Sequence, residues 1–300
     1  MKKLGFGLMR LPLLDKNDNG SIDVELTKKM IDVFMERGFT YFDTAWMYCK
    51  FNSERAVKEA LVDRYPRDSF YLATKLPAWS GANTAEEAKQ MFYTSLQRTG
   101  AGYFDFYLLH NLGEQRTHFF DDYGIWDFLA ERKQEGQIKH LGFSTHGSVQ
   151  MMEQFLDVCG ADMEFCQIQL NYLDWTLQDA KAKYDMLTRR GIPVWVMEPV
   201  RGGKLAALSD ENSAKLKAMR PDEKDVAWCF RFLQSLPNVT MTLSGMSNMA
   251  QIQEMQELLR VGDVPLYWCT CSLRPSEVRA DEAKLKYDNA LKAQKAVQGE

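Results

Sequence analysis

Short apolar runs bounded by turn residues alternate with amphipathic stretches along most of this 300-residue chain. The runs read as strands at Leu4–Met9, Tyr41–Thr44, Phe70–Leu76, Phe104–His110, Ile138–Ser144, Phe165–Leu170, Pro193–Met197 and Val239–Ser244. Between them the apolar positions recur with the period of a helix packed on one face. In Val24–Arg37, for example, Leu26, Met30, Val33 and Phe34 share a side. The same period predicts helices over Ser53–Arg64, Thr84–Thr99, Gly124–Glu135, Val149–Val158, Leu177–Arg190 and Glu223–Gln234. Gly38, Gly136 and Gly191 stand where three of these should stop, because glycine accepts the left-handed conformation of a C-cap. Strands alternating with helices in this way predict an α/β fold, the (β/α)8 TIM barrel. A doubly wound sheet would place a glycine-rich dinucleotide turn after its first strand. Leu4-Gly5-Phe6-Gly7-Leu8-Met9 has two glycines and no third at the required place, so that reading is rejected. The barrel is expected over residues 1–262 and a tail with a helix over 263–300, with no linker, short repeat or low-complexity segment in between.

Three strands end in, or lead into, chemically pointed residues: Asp43 and Tyr48 after the second, Lys75 on the third and His110 on the fourth. Each alone has a bland reading. An aspartate after a strand forms turns, a lysine is a surface charge, and a histidine at a strand end is a satisfied polar group. A parallel barrel, however, brings its strand ends to one mouth. There the set has a logic. A phenol is a poor acid at neutral pH, an ammonium beside it lowers its pKa, and a carboxylate keeps the ammonium charged and oriented. A histidine at the rim donates a hydrogen bond to an oxygen that is gaining charge. Together they suit protonation of a carbonyl as a hydride arrives.

The chain resembles the aldo-keto reductase superfamily in Phe42-Asp43-Thr44-Ala45-x-x-Tyr48, Thr74-Lys75, Leu108-Leu109-His110, Gly142-Phe143-Ser144 and Gln167-x-Gln169-x-Asn171-Tyr172. Further matches are Met197-Glu198-Pro199-Val200-x-Gly202-Gly203 and Ser244-Gly245-Met246-Ser247, in the family's order over residues 4–260. The resemblance implies NAD(P)H-dependent reduction of an aldehyde or ketone, with a tetrad of Asp43, Tyr48, Lys75 and His110. Tyr48 would be general acid in reduction and general base in oxidation. It also implies a cofactor site. Gly7, Met9 and Asp43 would contribute from the first two strands, and Ser144 and Gln167 would hold the carboxamide beside Thr145. Met197 would lie against the nicotinamide, where many relatives carry an aromatic. Glu198, Pro199, Val200, Gly202 and Lys204 would wrap the pyrophosphate, and Ser244, Gly245, Met246 and Gln251 would line the adenine end. Relatives that favour NADPH carry Lys and Arg where Gly245 and Gln251 stand, leaving Lys204 or Arg201 as substitutes. NADP(H) is expected ahead of NAD(H). Substrate would sit over Tyr48 and His110, walled by Trp46, Trp79 and Phe51 with Asn111 as a polar contact, which suggests a hydrophobic carbonyl compound.

Composition narrows the partners. Net charge is −4 with no basic stripe, so nucleic acid is not expected. Cys49, Cys159, Cys166, Cys229, Cys269 and Cys271 form no C-x-x-C pair, which suits the reducing cytoplasm better than a disulfide framework. No apolar run is long enough for a membrane span, and a cytoplasmic protein is expected. A metal-dependent hydrolase would need a cluster such as H-x-H after the first strand, where Leu8-Met9-Arg10 stand instead. Only Met1-Lys2-Lys3 precede the first strand, so the hairpin that plugs the barrel bottom in relatives is expected to be missing or replaced. Some motifs resemble a subgroup with a C-terminal ferredoxin-like extension, but Cys269-Thr270-Cys271 is too few ligands for a [4Fe–4S] cluster. Residues 281–297 read as a solvated helix. The rival function is a cofactor-binding regulatory protein with little turnover, as channel β-subunits resembling this family are. Oligomeric state stays open.

Overall fold

The computed structural model describes residues 2–260 of the chain. The predicted tail, its helix over 281–297 and Cys269 and Cys271 lie outside the described residues. Eight parallel strands close into a barrel in chain order. They are β1 (Leu4–Gly7), β2 (Tyr41–Asp43), β3 (Tyr71–Leu76), β4 (Phe104–Leu112), β5 (Ile138–Thr145), β6 (Cys166–Gln169), β7 (Val194–Met197) and β8 (Val239–Gly245). The ring is sealed by β1 pairing with β8, with Gly7 opposite Gly245 on one side and Asp43 on the other.

A helix follows each strand and packs outside: α1 (Val24–Glu36), α2 (Ser53–Val57), α3 (Ala85–Thr99), α4 (Ile125–Gln134), α5 (Val149–Cys159), α6 (Ala180–Arg189), α7 (Asp225–Gln234) and α8 (Met249–Arg260). Side-chain caps start several of them. Asp23 accepts from Leu26 N, Thr84 from Glu87 N and Ser148 from Met151 N, each satisfying a backbone donor that the first turn leaves free. The single helix expected over Ser53–Arg64 changes to a π turn at Lys58–Val62. An additional helix, Asp210–Met219, escapes the periodic pattern because Leu216 is its one buried side chain. Among the described residues no helix is long and apolar enough to cross a membrane. The four described cysteines are free thiols.

Side chains on a strand alternate between the barrel interior and the helical layer. The barrel interior holds an apolar cluster of Tyr41, Ala73, Phe106, Leu108, Phe165, Trp195, Met241 and Leu243. The Trp195 ring lies 4.1 Å from Phe165, 4.7 Å from Phe106 and 5.0 Å from Tyr41. Room for these rings comes from small neighbours. A Cβ on Gly142 would fall 2.6 Å from the Phe165 ring and carbonyl oxygen. At the bottom His140 stacks on Phe106 at 5.0 Å and Tyr71 lies 6.2 Å from it. The inward aromatics of the strands thus fill the amino end of the barrel.

Candidate active site

Two residues further along the same inward faces, the apolar filling gives way to polar groups. Asp43 follows Tyr41, Lys75 follows Ala73, His110 follows Leu108, and Gln167 follows Phe165. Lys75 Nζ donates to Asp43 Oδ1 and to the Thr44 carbonyl at 2.8 Å, and the two side chains of the pair are 1% and 3% exposed. Gln167 Nε2 approaches the other Asp43 oxygen at 3.4 Å. The Lys75 ammonium stands 4.8 Å from the centre of the Tyr48 ring. The Tyr48 and His110 rings lie 5.8 Å apart and nearly perpendicular. Trp79 Nε1 donates to the His110 carbonyl at 2.6 Å, fixing the bend at the end of β4. The structure therefore brings together all four residues singled out in the sequence.

Tyr48 opens an unusual turn. The next residues, Cys49, Lys50 and Phe51, have φ of 52°, 50° and 70°, a left-handed run that L-residues adopt at a cost. The β1–α1 loop holds it in place: Lys50 pairs with Asp18 at 2.8 Å and Asn52 Nδ2 donates to the Gly20 carbonyl at 3.1 Å. Glu54, to which the sequence attached no role, is fully buried one shell out. It accepts from Thr74 Oγ1 at 2.7 Å and pairs with Arg98 at 3.4 Å, tying α2 to β3 beside Lys75.

Burial sets the electrostatics. It is the largest influence on Lys75 and works against its charge, but Asp43 and, after it, Tyr48 together outweigh it and hold the lysine pKa above the ordinary 10.5. Burial raises Asp43 above 3.8, with Lys75 pulling it back. For Tyr48 the expected lowering is present but does not win: burial raises the phenol above 10, and the Lys75 charge is the main influence in the other direction. Burial, then the charge on Lys75, keeps His110 well below 6.5. It is therefore a neutral imidazole at pH 7, and its Nδ1 has no partner among the described residues.

A cavity of about 610 Å³ opens over these groups at the carboxyl end of the barrel. Of the expected cofactor contacts, Gly7, Met9, Asp43, Ser144, Gln167, Met197, Glu198, Pro199, Val200, Gly202, Ser244, Gly245, Met246 and Gln251 line it. Thr145 does not, since its hydroxyl bonds the Leu112 carbonyl and the Gly147 amide, both at 2.8 Å. Lys204 is exposed and off the cavity wall. Arg201 is held by the buried Asp174 at 3.3 Å. On the substrate side Trp79 and Asn111 line the cavity. Trp46 and Phe51 do not: the two rings pack together at 4.9 Å, and Trp46 is capped by the Arg98 guanidinium, also at 4.9 Å.

Sequence reasoning also missed Arg10. It lines the cavity, pairs with Glu198 at 3.6 Å, and would meet a Cβ on Gly202 at 3.2 Å or on Gly245 at 3.6 Å. One side chain thus spans the loops after β1, β7 and β8. Among the described residues no cluster of three acidic, histidine or cysteine side chains is placed to hold a metal.

A parallel barrel with an ionised pair, a phenol and a neutral imidazole facing one long cleft belongs with the barrel oxidoreductases. The profile of the aldo/keto reductase family matches residues 3–262, and the chain belongs to that family. An aldo-keto reductase of Mycolicibacterium smegmatis (strain ATCC 700084 / mc(2)155) is 27% identical over 199 residues, 62% of this chain and 67% of that protein. The methylglyoxal reductase DkgA of Yersinia pestis is 26% identical over 151 residues, 50% of each chain. Among solved structures, the holo form of aldo-keto reductase AKR11C1 from Bacillus halodurans is similar with a TM-score of 0.72 at 22% identity, covering 98% of this chain and 92% of that one. The aldo/keto reductase from Klebsiella pneumoniae in complex with NADP and acetate gives 0.68 at 16% identity, covering 95% and 91%. At these identities the structural likenesses establish the fold.

Proposed function

We propose that this protein is an NAD(P)H-dependent carbonyl reductase that turns an aldehyde or ketone into an alcohol, with Tyr48 as the proton donor. The observation that carries the proposal is the buried Lys75–Asp43 pair set 4.8 Å from the Tyr48 ring, on the wall of the cavity. The residues present fit a nicotinamide dinucleotide. Ser144 and Gln167 offer hydroxyl and amide groups at the cavity floor, and Met197 gives an adaptable apolar surface above them. Gly7 adds no side chain, since even a Cβ there would meet only backbone, at 3.5 Å. Arg10, across from Glu198, would close over the pyrophosphate.

The bound cofactor would supply the hydride that reaches the carbonyl carbon. Tyr48 would give its hydroxyl proton to the carbonyl oxygen, and His110, neutral, would hold that oxygen by a hydrogen bond as charge gathers on it. Lys75 would stabilise the phenolate left behind, and Asp43 would keep Lys75 protonated and in place. NADP(H) remains the cofactor expected first. At the far end the cavity is lined by uncharged Gly245 and Gln251 and by Glu254, which pairs with Lys224 at 3.5 Å. Tighter binding of NADPH would mean that Lys224 turns to the 2′-phosphate. Tighter binding of NADH would mean that Glu254 takes the ribose hydroxyls.

Fluorescence titration with NADPH and NADH tests the reading, with Tyr48→Phe alongside. Saturable binding by both proteins is expected, with turnover of the variant reduced by about two to four orders of magnitude. Weakened binding with normal turnover would refute the role of Tyr48. Binding without hydride transfer in a single turnover of the wild type would favour the regulatory reading instead.

A further inference from the structure

Tyr48 is carried by backbone that must be held in place. Cys49, Lys50 and Phe51, the three residues after it, all have positive φ, and a left-handed run of L-residues persists only where its surroundings over-determine it. Lys50 and Asn52 tie one side of the turn to the β1–α1 loop. The other side is held by a residue of α3, Arg98. Its guanidinium donates to the Trp46 carbonyl at 3.1 Å. It also lies 4.9 Å from the centre of the Trp46 ring and 5.9 Å from that of Phe51, within the range of a cation–π contact. The Trp46 indole nitrogen is buried with no partner among the described residues, so packing and the cation fix the ring. Trp46 precedes Tyr48 by two positions and Phe51 follows it by three. One charge therefore grips both ends of the turn that carries the phenol.

The same guanidinium reaches the strand of Lys75. Arg98 pairs with Glu54 at 3.4 Å, and the two side chains are 14% and 0% exposed. Glu54 in turn accepts from Thr74 Oγ1 at 2.7 Å, one residue before Lys75. The Trp46 amide adds a direct bond to the Lys75 carbonyl at 3.3 Å. Turn and strand are thus braced against each other, and the 4.8 Å between the Lys75 ammonium and the Tyr48 ring depends on both. Arg98 does not line the cavity, so any part it has in the reaction is played through Tyr48.

We propose that Arg98 is a positioning residue for the proton donor: anchored on Glu54, it holds the Trp46–Phe51 turn so that the Tyr48 hydroxyl stays beside Lys75 and within reach of the carbonyl oxygen. This assignment rests on the carbonyl-reductase reading above and adds a residue to it. Without the guanidinium the turn relaxes, and misplacement of a reacting group by about 1 Å costs about a hundredfold in rate. Cofactor and substrate meet other side chains, so the loss falls on kcat rather than on binding.

The test is reduction of 4-nitrobenzaldehyde and phenylglyoxal, with whichever of NADPH and NADH binds more tightly, by the wild type, Arg98→Met, Arg98→Lys and a double variant joining Arg98→Met to Glu54→Gln. Thermal melts and fluorescence titration of the cofactor accompany the kinetics. Arg98→Met should lower kcat by about ten- to a hundredfold while KM and the cofactor dissociation constant stay close to those of the wild type. It should also melt at a lower temperature, because Glu54 is left as an unpaired buried charge. The double variant removes that charge and should regain most of the thermal midpoint without regaining kcat, since the Trp46 carbonyl still lacks its donor. Arg98→Lys, which can donate to that carbonyl, should keep part of kcat. Recovery of kcat together with stability in the double variant would overturn the assignment and leave Arg98 a purely structural residue. So would an Arg98→Met protein with unchanged kcat. Reduction of neither aldehyde by the wild type would overturn the assignment together with the carbonyl-reductase reading.

Discussion

Lys75→Met would remove one half of a buried ion pair and leave the other. The methionine keeps most of the lysine stem's volume, so the loss is mainly electrostatic. Asp43 would retain the 3.4 Å contact with Gln167 and the weaker influence of the Tyr41 hydroxyl. Stranding a buried charge in this way costs about 3–5 kcal/mol, which for a domain of this size lowers the thermal midpoint by roughly 10 °C. Adding Asp43→Asn removes the stranded charge, so the double variant should regain much of that stability although it carries one more substitution. Turnover should not return with it. Burial raises the Tyr48 pKa and Lys75 is the main influence lowering it, so removing the ammonium pushes the phenol higher and makes it a weaker acid. The alkaline limb of the pH–rate profile should move to higher pH, and the rate of reduction should fall.

The lysine also contributes to stability with a definite sign. Its folded-state pKa lies above 10.5, so its contribution is complete below 10.5 and is lost as pH rises through the raised value. The variant should lack that alkaline loss. Circular-dichroism melts of the wild type, both single variants and the double variant, with pH–rate profiles, would check this account. A Lys75→Met protein that melts with the wild type would refute the reasoning. So would a double variant no more stable than the single one, or an unmoved profile.

Three other outcomes are expected. Lys50 has φ of 50°, so Lys50→Gly should be more stable than Lys50→Ala by about 1 kcal/mol, the reverse of the order in an ordinary helix; both lose the Asp18 pair, and chemical denaturation of the two variants isolates the backbone. Gly142→Ala would drive a methyl group to 2.6 Å from the Phe165 ring and carbonyl, and overpacking of that kind should cost about 1–3 kcal/mol in the same assay. Arg10→Ala would leave Glu198 unpaired on the cavity wall, and affinity for NADPH and NADH should fall about tenfold alike in fluorescence titration; unchanged dissociation constants would remove Arg10 from the cofactor site.

What could be read from the sequence follows what periodicity governs. The strands lie where the apolar runs placed them, with ends displaced by a residue or two, because alternation along a strand leaves little choice of face. Asp43, Lys75 and His110 were legible for the same reason, since a polar residue at the carboxyl end of a barrel strand points at the mouth or at the helices. Loop side chains obey no such period. Trp46 looked like a substrate wall, but it turns outward to the Arg98 guanidinium. Thr145 looked like a carboxamide ligand, but its hydroxyl serves the Leu112 carbonyl. Arg10 was passed over because its value lies in contacts with Glu198, Gly202 and Gly245, which are close only after the barrel closes. The direction of the Tyr48 shift was misjudged because residue type reveals the neighbouring charge and says nothing about the depth of burial.

That depth has its origin in the apolar half of the barrel. On each of several strands, one step of the alternation separates filler from chemistry: Tyr41 from Asp43, Ala73 from Lys75, Phe165 from Gln167 and Trp195 from Met197. Phe106, Phe165 and Trp195 pack ring to ring directly beneath, and that floor leaves little space for water under the Lys75–Asp43 pair. In such surroundings a charge acts more strongly than it would in water. The same exclusion raises the Tyr48 phenol, keeps the His110 imidazole neutral and makes the Asp43 carboxylate necessary to hold Lys75 protonated. Substitutions in the floor should therefore reach the chemistry through solvent access rather than contact. A smaller ring at Trp195 that admitted water would relax the pKa shifts of Tyr48 and His110 toward their ordinary values together, because one cause stands first behind both.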